Sequence, residues 1–221
     1  MSKAFNANVS DIFRNNYVSP RPSSTTLQIP TQGIGEWCHG TYCPEINDSV
    51  FRSLAVGDRF DVEGIPFATP QHGKNIAFVS LWDNYPSALT IPVKAQKASV
   101  AHIRLAGSTN HMQTHMDNAI IIANYKDGTS DTLHLIPPFN YCPIEQDFYV
   151  DGKAFQTVEP RPVRICLATG TVLRNLGTAL SIKSDEVYGR EIPGGAAQLL
   201  SMPLSPSKKL HSFTLIPLSN D

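Results

Sequence analysis

Ala119-Ile120-Ile121-Ile122-Ala123-Asn124-Tyr125 precedes the turn Lys126-Asp127-Gly128-Thr129, and Thr132-Leu133-His134-Leu135-Ile136 follows it. The first run is apolar at both odd and even positions, which is typical of a central strand that is covered on both faces. Asp-Gly between two such runs is a strong β-hairpin signal, because glycine accepts a positive φ without steric cost. The three segments therefore predict an antiparallel hairpin inside a larger sheet.

The rest of the chain has the same character as this hairpin. Seventeen prolines and fourteen glycines interrupt it often, which disfavours long helices. Only Ser10–Asn16 has a helical pattern, with Ser10 as its N-cap. Between the breakers lie strand-like runs rich in β-branched and apolar residues: Thr25–Ile29, Val50–Val56, Ile76–Trp82, Val100–Leu105, Val163–Leu167 and Leu210–Ile216. This pattern predicts an all-β protein, a two-sheet antiparallel β-sandwich or jelly roll with little helix.

Length and charge limit the domain organisation and the classes of partner. A chain of 221 residues fits one domain. The Pro-rich stretch Ser19–Ser24 indicates an N-terminal arm or linker over residues 1–24, and residues 25–221 form the sandwich domain. Lys and Arg total 18 against 19 acidic residues, which argues against nucleic acid as a partner. No apolar run approaches the ~20 residues that span a bilayer, so no membrane insertion is expected.

Cysteine usage and the N-terminus bear on the cellular compartment. Cys38, Cys43, Cys142 and Cys166 are too few and too scattered for a disulfide framework, and buried thiols are the simpler interpretation. The first residues lack the apolar stretch of a secretory signal. The chain is therefore either cytoplasmic or a piece of a longer exported protein.

Aromatic residues beside polar ones in predicted loops are the candidate binding residues. Trp37 lies in a Gly-rich loop, Trp82 and Asp83 directly follow an apolar run, and Asn140 and Tyr141 lie in a long aromatic loop. Aromatic rings stack on the apolar face of a sugar, and Asp and Asn bind its hydroxyl groups. The alternatives are a tryptophan packed over a sheet edge, and a structured turn. These loops are expected to gather at one end of the sandwich.

Acidic residues in the same region raise two further possibilities. Glu145, Asp147 and Asp151 have oxygen ligands suited to calcium, but no EF-hand glycine pattern accompanies them, and a solvated acidic loop is the alternative. Asp83, Glu145 and Asp147 are candidate acids of a glycosidase. The sequence contains no Gly-x-Ser-x-Gly elbow and no activated nucleophile. No catalytic residues and no cofactor are therefore assigned.

Several segments resemble known domains. Three resemble galactose-binding-like β-sandwich domains of the NPCBM type: Phe60–Phe67, Tyr125–Thr129 and Pro203–Leu215. Four resemble an uncharacterised bacterial domain family that is found in long exported proteins for polysaccharide breakdown: Thr25–Pro30, Gly33–His39, Leu81–Pro86 and Arg190–Ala197. The resemblance covers nearly the whole chain from about Ser19, but the helical catalytic-type domain of such proteins is absent here.

The resemblance implies a galactose-binding-like jelly roll, truncated at its C-terminal end, from a periplasmic or extracellular protein. Its expected function is non-catalytic: it binds a glycan weakly or docks on a neighbouring catalytic domain. Two alternatives stay open, a glycoside hydrolase that uses Glu145 and Asp147, and a purely structural interdomain module.

Overall fold

The computed structural model describes residues 4–13, 45–81, 85–107, 115–145, 160–174 and 192–218. Two five-residue helices occur in these ranges, α1 (Val9–Phe13) and α2 (Ser49–Ser53). The strands are β1 (Arg59–Val62), β2 (Ile65–Ala68), β3 (Leu89–Gln96), β4 (Val100–Leu105), β5 (Ala119–Tyr125), β6 (Ser130–Leu135), β7 (Val163–Cys166), β8 (Val172–Leu173), β9 (Ala196–Pro203) and β10 (Leu210–Pro217). No described helix has the length and apolar character needed to cross a membrane.

The predicted hairpin is confirmed as β5 and β6. The two strands pair antiparallel, with Ala119 opposite Leu135 and Asn124 opposite Ser130. Gly128 has a φ of +84° in the turn, as the Asp-Gly pattern requires. The N–H of Tyr125 donates to the carbonyl oxygen of Thr129 at 2.9 Å and closes the turn.

Two four-stranded antiparallel sheets form the body of the protein. We call them sheet one, with strand order β3-β10-β5-β6, and sheet two, with order β4-β9-β7-β8. Strands β1 and β2 form a separate antiparallel hairpin. Among the described strands, consecutive ones change sheet four times, from β3 to β4, from β4 to β5, from β6 to β7 and from β9 to β10. The predicted all-β, two-sheet antiparallel sandwich is confirmed.

The main core lies between the two sheets. Every second residue of β5 is buried, and these residues meet side chains of β4 and β9 from sheet two. The residues that fill this layer are Ala119, Ile121, Ala123 and Tyr125 from β5, Ile103 and Leu105 from β4, Leu200 and Met202 from β9, and Phe213 and Leu215 from β10. The alternation of strand side chains thus leaves the opposite face of sheet one outside this core.

The other face of sheet two is covered by α2 and the β1–β2 hairpin. Phe51 of α2 and Val62 of β1 pack with Val163 and Ile165 of β7. Arg104 of β4 joins the layers, because its guanidinium lies 4.8 Å from the ring centre of Phe51 and donates to the hydroxyl of Thr69 at 2.7 Å. Burial lowers the pKa of Arg104 to about 10, so the side chain stays charged at neutral pH.

Three local predictions are wrong. Val50–Val56 is not a strand, because α2 spans Ser49–Ser53 and buries Phe51 against sheet two. In the described part of Ile76–Trp82 only Ile76 forms a bridge, and the side chain of Asn6 binds the backbone N–H of Phe78 instead. Helix α1 is capped by Asn8, whose Oδ1 accepts the N–H of Asp11 at 2.8 Å, and not by Ser10. Thr25–Ile29 lies outside the described residues.

Candidate functional site

Asn140 lies in the turn that follows β6 and holds that turn together. Its Oδ1 accepts the N–H of Ile136 at 2.8 Å, and its Nδ2 donates to the carbonyl oxygen of His134 at 2.8 Å. The side-chain amide of Gln198 donates to the carbonyl oxygen of Asn140. The amide that the sequence analysis assigned to sugar hydroxyls is therefore occupied by the protein's own backbone.

Tyr141 is a core residue. Its side chain is only 3% exposed and packs between the sheets with Ile121, Leu135 and Leu200. In this conformation the ring has no open face on which a sugar could stack. The proposal of an exposed aromatic anchor does not fit the placement of this residue.

The remaining loop candidates, Trp37, Trp82 and Asp83, lie outside the described residues, as do the calcium candidates Asp147 and Asp151. The predicted gathering of the aromatic loops at one end of the sandwich therefore stays a prediction. Within the described ranges, no group of three or more His, Cys, Asp or Glu side chains could hold a metal ion.

Glu145 lies inside the protein, at 2% exposure. Its backbone carbonyl accepts the N–H of Ile192 at 2.7 Å, which fixes the loop after β6 to the segment that leads into β9. A glycosidase acid must reach the glycosidic oxygen of a bound substrate. The carboxyl group of Glu145 does not lie on a surface in this structure.

A buried polar cluster lies next to Glu145. Arg164 of β7 is fully buried and donates to the sulfur of Cys142 and to the carbonyl oxygens of Pro143 and Ala196. Gln198 of β9 accepts the N–H of Cys142 at 3.2 Å. Because buried polar groups need partners, these bonds fix the loop against sheet two. Cys142 and Cys166 are both buried free thiols, as predicted for them, and Cys38 and Cys43 lie outside the described residues.

The outward-pointing side chains of sheet one form a surface that we call the outer face. Strand register places eleven side chains on it: Thr90, Pro92, Ile120, Ile122, Asn124, Ser130, Thr132, His134, Ser212, Thr214 and Ile216. Its three isoleucines are partly exposed, and they belong to none of the core clusters formed by described residues. The outer face is thus a second, mixed polar and apolar surface on the side away from the core.

Hydrogen bonds order the middle of the outer face. Asn124 of β5 donates from Nδ2 to the hydroxyl of Thr214 at 2.9 Å and to that of Ser212 at 3.3 Å. The hydroxyls of Thr90 and Thr214 lie 3.3 Å apart. This ladder crosses three strands and holds the hydroxyl groups of Thr90 and Thr214 and the amide of Asn124 in fixed positions, with Ser212 buried beneath them at 4% exposure.

Among the described residues, the charged groups of the outer face lie at its ends. Nδ1 of His134 lies 2.9 Å from a carboxylate oxygen of Asp117 at one end. The alternation of β3 places Lys94 at the other end, two residues beyond Pro92. Among the described side chains that alternation and register place on the outer face, Lys94 is the one Asp, Glu, Lys or Arg.

A cleft of about 360 Å³ lies on the opposite side of the molecule, near the chain's N-terminus. We call it the N-terminal cleft; it is lined by Asn8, Val9, Ser10, Ile46, Asn47, Asp48, Arg52 and Gly73. Arg52 is held in place by donating to the carbonyl oxygens of Pro70 and Gly73, each at 2.9 Å. Asp48 accepts a hydrogen bond from Nδ2 of Asn75 at 2.8 Å.

Sequence reasoning missed both of these surfaces. The alternation of Thr132 and His134 with Leu133 and Leu135 marks one edge of the outer face and is readable in the sequence. Strand β3 has the same alternation, but Pro92 conceals it because proline disfavours a strand interpretation. The N-terminal cleft joins segments about 40 residues apart, and no local pattern reveals it.

No protein-family model, curated protein or solved structure matches this chain. The resemblance to NPCBM-like domains and to the bacterial polysaccharide-breakdown family therefore stays a prediction, and function has to be argued from the surfaces described above.

Proposed function

We propose that this chain is a non-catalytic β-sandwich module that binds an uncharged glycan on the outer face of sheet one, within a longer exported protein for polysaccharide breakdown. The observation that carries the proposal is the ordered, uncharged middle of that face, with three threonines and Asn124 around Ile122.

The chemistry of this surface suits sugar hydroxyls. Each threonine hydroxyl both donates and accepts a hydrogen bond, as a sugar hydroxyl does. Nδ2 of Asn124 is engaged by Ser212 and Thr214, and its Oδ1 accepts no hydrogen bond from a described residue, so this oxygen offers an acceptor. Ile120 and Ile122 give apolar contact for the C–H groups of a sugar ring.

The charge distribution favours a neutral ligand. A polyanion gains much of its affinity from contacts with Lys and Arg, and the described residues place no charged side chain in the middle of the outer face. Four strands about 4.8 Å apart also give a surface roughly 14 Å wide, which is long enough for an extended chain to lie across it. An uncharged polysaccharide segment is therefore the best-matched ligand.

Binding fits the structure better than hydrolysis. The glycosidase alternative assigns its chemistry to Glu145 and Asp147, and Glu145 is buried at 2% exposure. A carboxyl group in that position cannot protonate a substrate on the surface without a rearrangement of the core.

The test compares two variants that add the same charge at different places. Thr132→Glu puts a carboxylate next to Ile122 on the outer face, while Ser207→Glu puts one in the exposed turn between β9 and β10. Affinity electrophoresis against a panel of neutral polysaccharides measures binding, and thermal melts confirm that both variants fold. We expect Thr132→Glu to weaken retardation at least tenfold, because the carboxylate would have to lose water without gaining a partner.

Ser207→Glu is expected to bind like the unmodified chain. Two results would contradict the proposal: no retardation of the unmodified chain by any neutral polysaccharide, or equal retardation of both variants.

A further inference from the structure

We propose that the N-terminal cleft is a second binding site, which takes a single uncharged sugar residue such as a glycan chain end. This inference rests on the proposed glycan binding and extends it to a separate place on the molecule.

The cleft carries one fixed charge of each sign. Asp48 and Arg52 both line it, yet among the ion pairs of described residues none joins these two side chains. Asp48 is bound to Asn75 and Arg52 to two backbone carbonyls, so both charged groups are held in place by other contacts. A net anion would be repelled by Asp48 and a net cation by Arg52, which leaves ligands without net charge.

Donors and acceptors alternate around the cleft. Oδ1 of Asn8 accepts from the N–H of Asp11, and Oδ1 of Asn47 accepts from the N–H of Ser49 at 2.9 Å. These bonds fix each amide so that its Nδ2 is the group left to donate to a ligand. The Asp48 carboxylate provides acceptors between them.

Asn75 does not line the cleft, but it adds a buried acceptor next to the lining residue Asp48. Its side chain is 9% exposed, its Nδ2 donates to Asp48, and its Oδ1 has no hydrogen-bond partner among the described residues. A buried acceptor without a donor costs free energy, and a hydroxyl group or a water bridging from the cleft would supply that donor.

A polyhydroxylated ligand satisfies this arrangement best. Each hydroxyl donates to one neighbour and accepts from another, so adjacent hydroxyls can bridge Asp48 to the amide of Asn47 or to Arg52. Val9 and Ile46 supply apolar contact for a ring face. A volume of about 360 Å³ is at the lower end of the range for small-molecule sites, which suits one sugar ring better than a polymer segment.

The experiment fills the cleft from an exposed position. Ser10→Trp places an indole at the cleft wall, and Ser53→Trp is the matched control on α2, outside the cleft lining. Both serines are exposed, and each hydroxyl donates to an acceptor of its own helix end, namely Oδ1 of Asn8 and the carbonyl oxygen of Val50. The two changes therefore remove similar contacts and add the same bulk.

The probes are glucose, galactose, mannose and N-acetylglucosamine, and glycine is included as a zwitterion of no net charge. Saturation-transfer difference NMR detects the binding of each probe, and titration gives its Kd. We expect at least one monosaccharide to bind to the unmodified chain and to the Ser53→Trp variant. The Ser10→Trp variant should raise the Kd for that sugar at least tenfold with an unchanged melting temperature.

Three outcomes would overturn the inference: no monosaccharide binds, glycine binds and the sugars do not, or Ser10→Trp leaves the Kd unchanged. The two proposals fail separately. If no monosaccharide binds, but polysaccharides still retard the chain and Thr132→Glu weakens that retardation, only the proposed sugar site in the cleft is refuted. If a monosaccharide binds and Ser10→Trp blocks it, but no polysaccharide retards the chain, only the proposed glycan binding on the outer face is refuted.

Discussion

Replacement of Tyr141 by alanine distinguishes a core ring from an exposed binding ring. The side chain is 3% exposed and lies among Ile121, Leu135 and Leu200, between the two sheets. Removing a buried aromatic side chain costs about 3–5 kcal/mol, because the transfer free energy is lost and the cavity closes only in part. In a domain of this size that loss lowers the melting temperature by about 6–20 °C.

Urea titration and calorimetry of Tyr141→Ala give this number directly. Val56→Ala is the matched control, since Val56 is 84% exposed and its truncation should change the free energy of unfolding by no more than about 0.5 kcal/mol. If Tyr141→Ala left the stability within that same margin and instead abolished glycan binding, the assignment of Tyr141 to the core would be refuted, and the exposed-anchor interpretation of this loop would return.

Two further predictions concern the hairpin between β5 and β6. Gly128→Ala should lower the free energy of unfolding by about 1–2 kcal/mol in a denaturant titration. The cost is backbone strain alone, because φ is +84° and an added Cβ meets nothing within 4 Å. Gly128→Asn should cost less, and equal losses in the two variants would argue against a strained turn. The hydrogen bond from the Tyr125 hydroxyl, with that from the N–H of Ser205, holds the pKa of Asp131 below its usual 3.8. The stabilisation from Asp131 is therefore present above the unfolded pKa and is lost as pH falls through the folded pKa. The free energy of unfolding should drop less between about pH 6 and pH 3 in Asp131→Asn than in the unmodified chain, and an equal drop would contradict this coupling.

The sequence predicted the strands whose local pattern and tertiary environment agree. Ala119–Tyr125 is apolar at every position except Asn124, and the structure places it in the middle of sheet one between β10 and β6. Val100–Leu105 alternates, and it is β4 with the bounds predicted. In Val100–Leu105 the period of the side chains indicates which face is buried. Ala119–Tyr125 has no such period, and its predicted coverage on both faces is met on one face only, because Ile120 and Ile122 are partly exposed.

Prediction failed where distant segments decide the local structure. Val50–Val56 has the composition of a strand, but its first residues belong to α2, which packs Phe51 against sheet two. Phe78 lies in an apolar run, yet its backbone is bound by Asn6, 72 residues away along the chain. The neighbouring prolines and Asn140 predict a loop at Tyr141, and aromatic residues in loops are often exposed. The burial of Tyr141 depends instead on the shape of the space between the two sheets. Local residue composition does not predict the shape of that space.

Titration of isotopically labelled protein with a neutral oligosaccharide, followed residue by residue in amide NMR spectra, tests the central claim most directly. The oligosaccharide is taken from the polysaccharide that retards the chain most strongly. Binding on the outer face predicts the largest shift changes at Thr90, Thr132 and Thr214, with small changes at the control position Ser207. Saturable shift changes confined to other surfaces, or none at any concentration of oligosaccharide, would contradict the assignment of the outer face of sheet one as the glycan-binding surface.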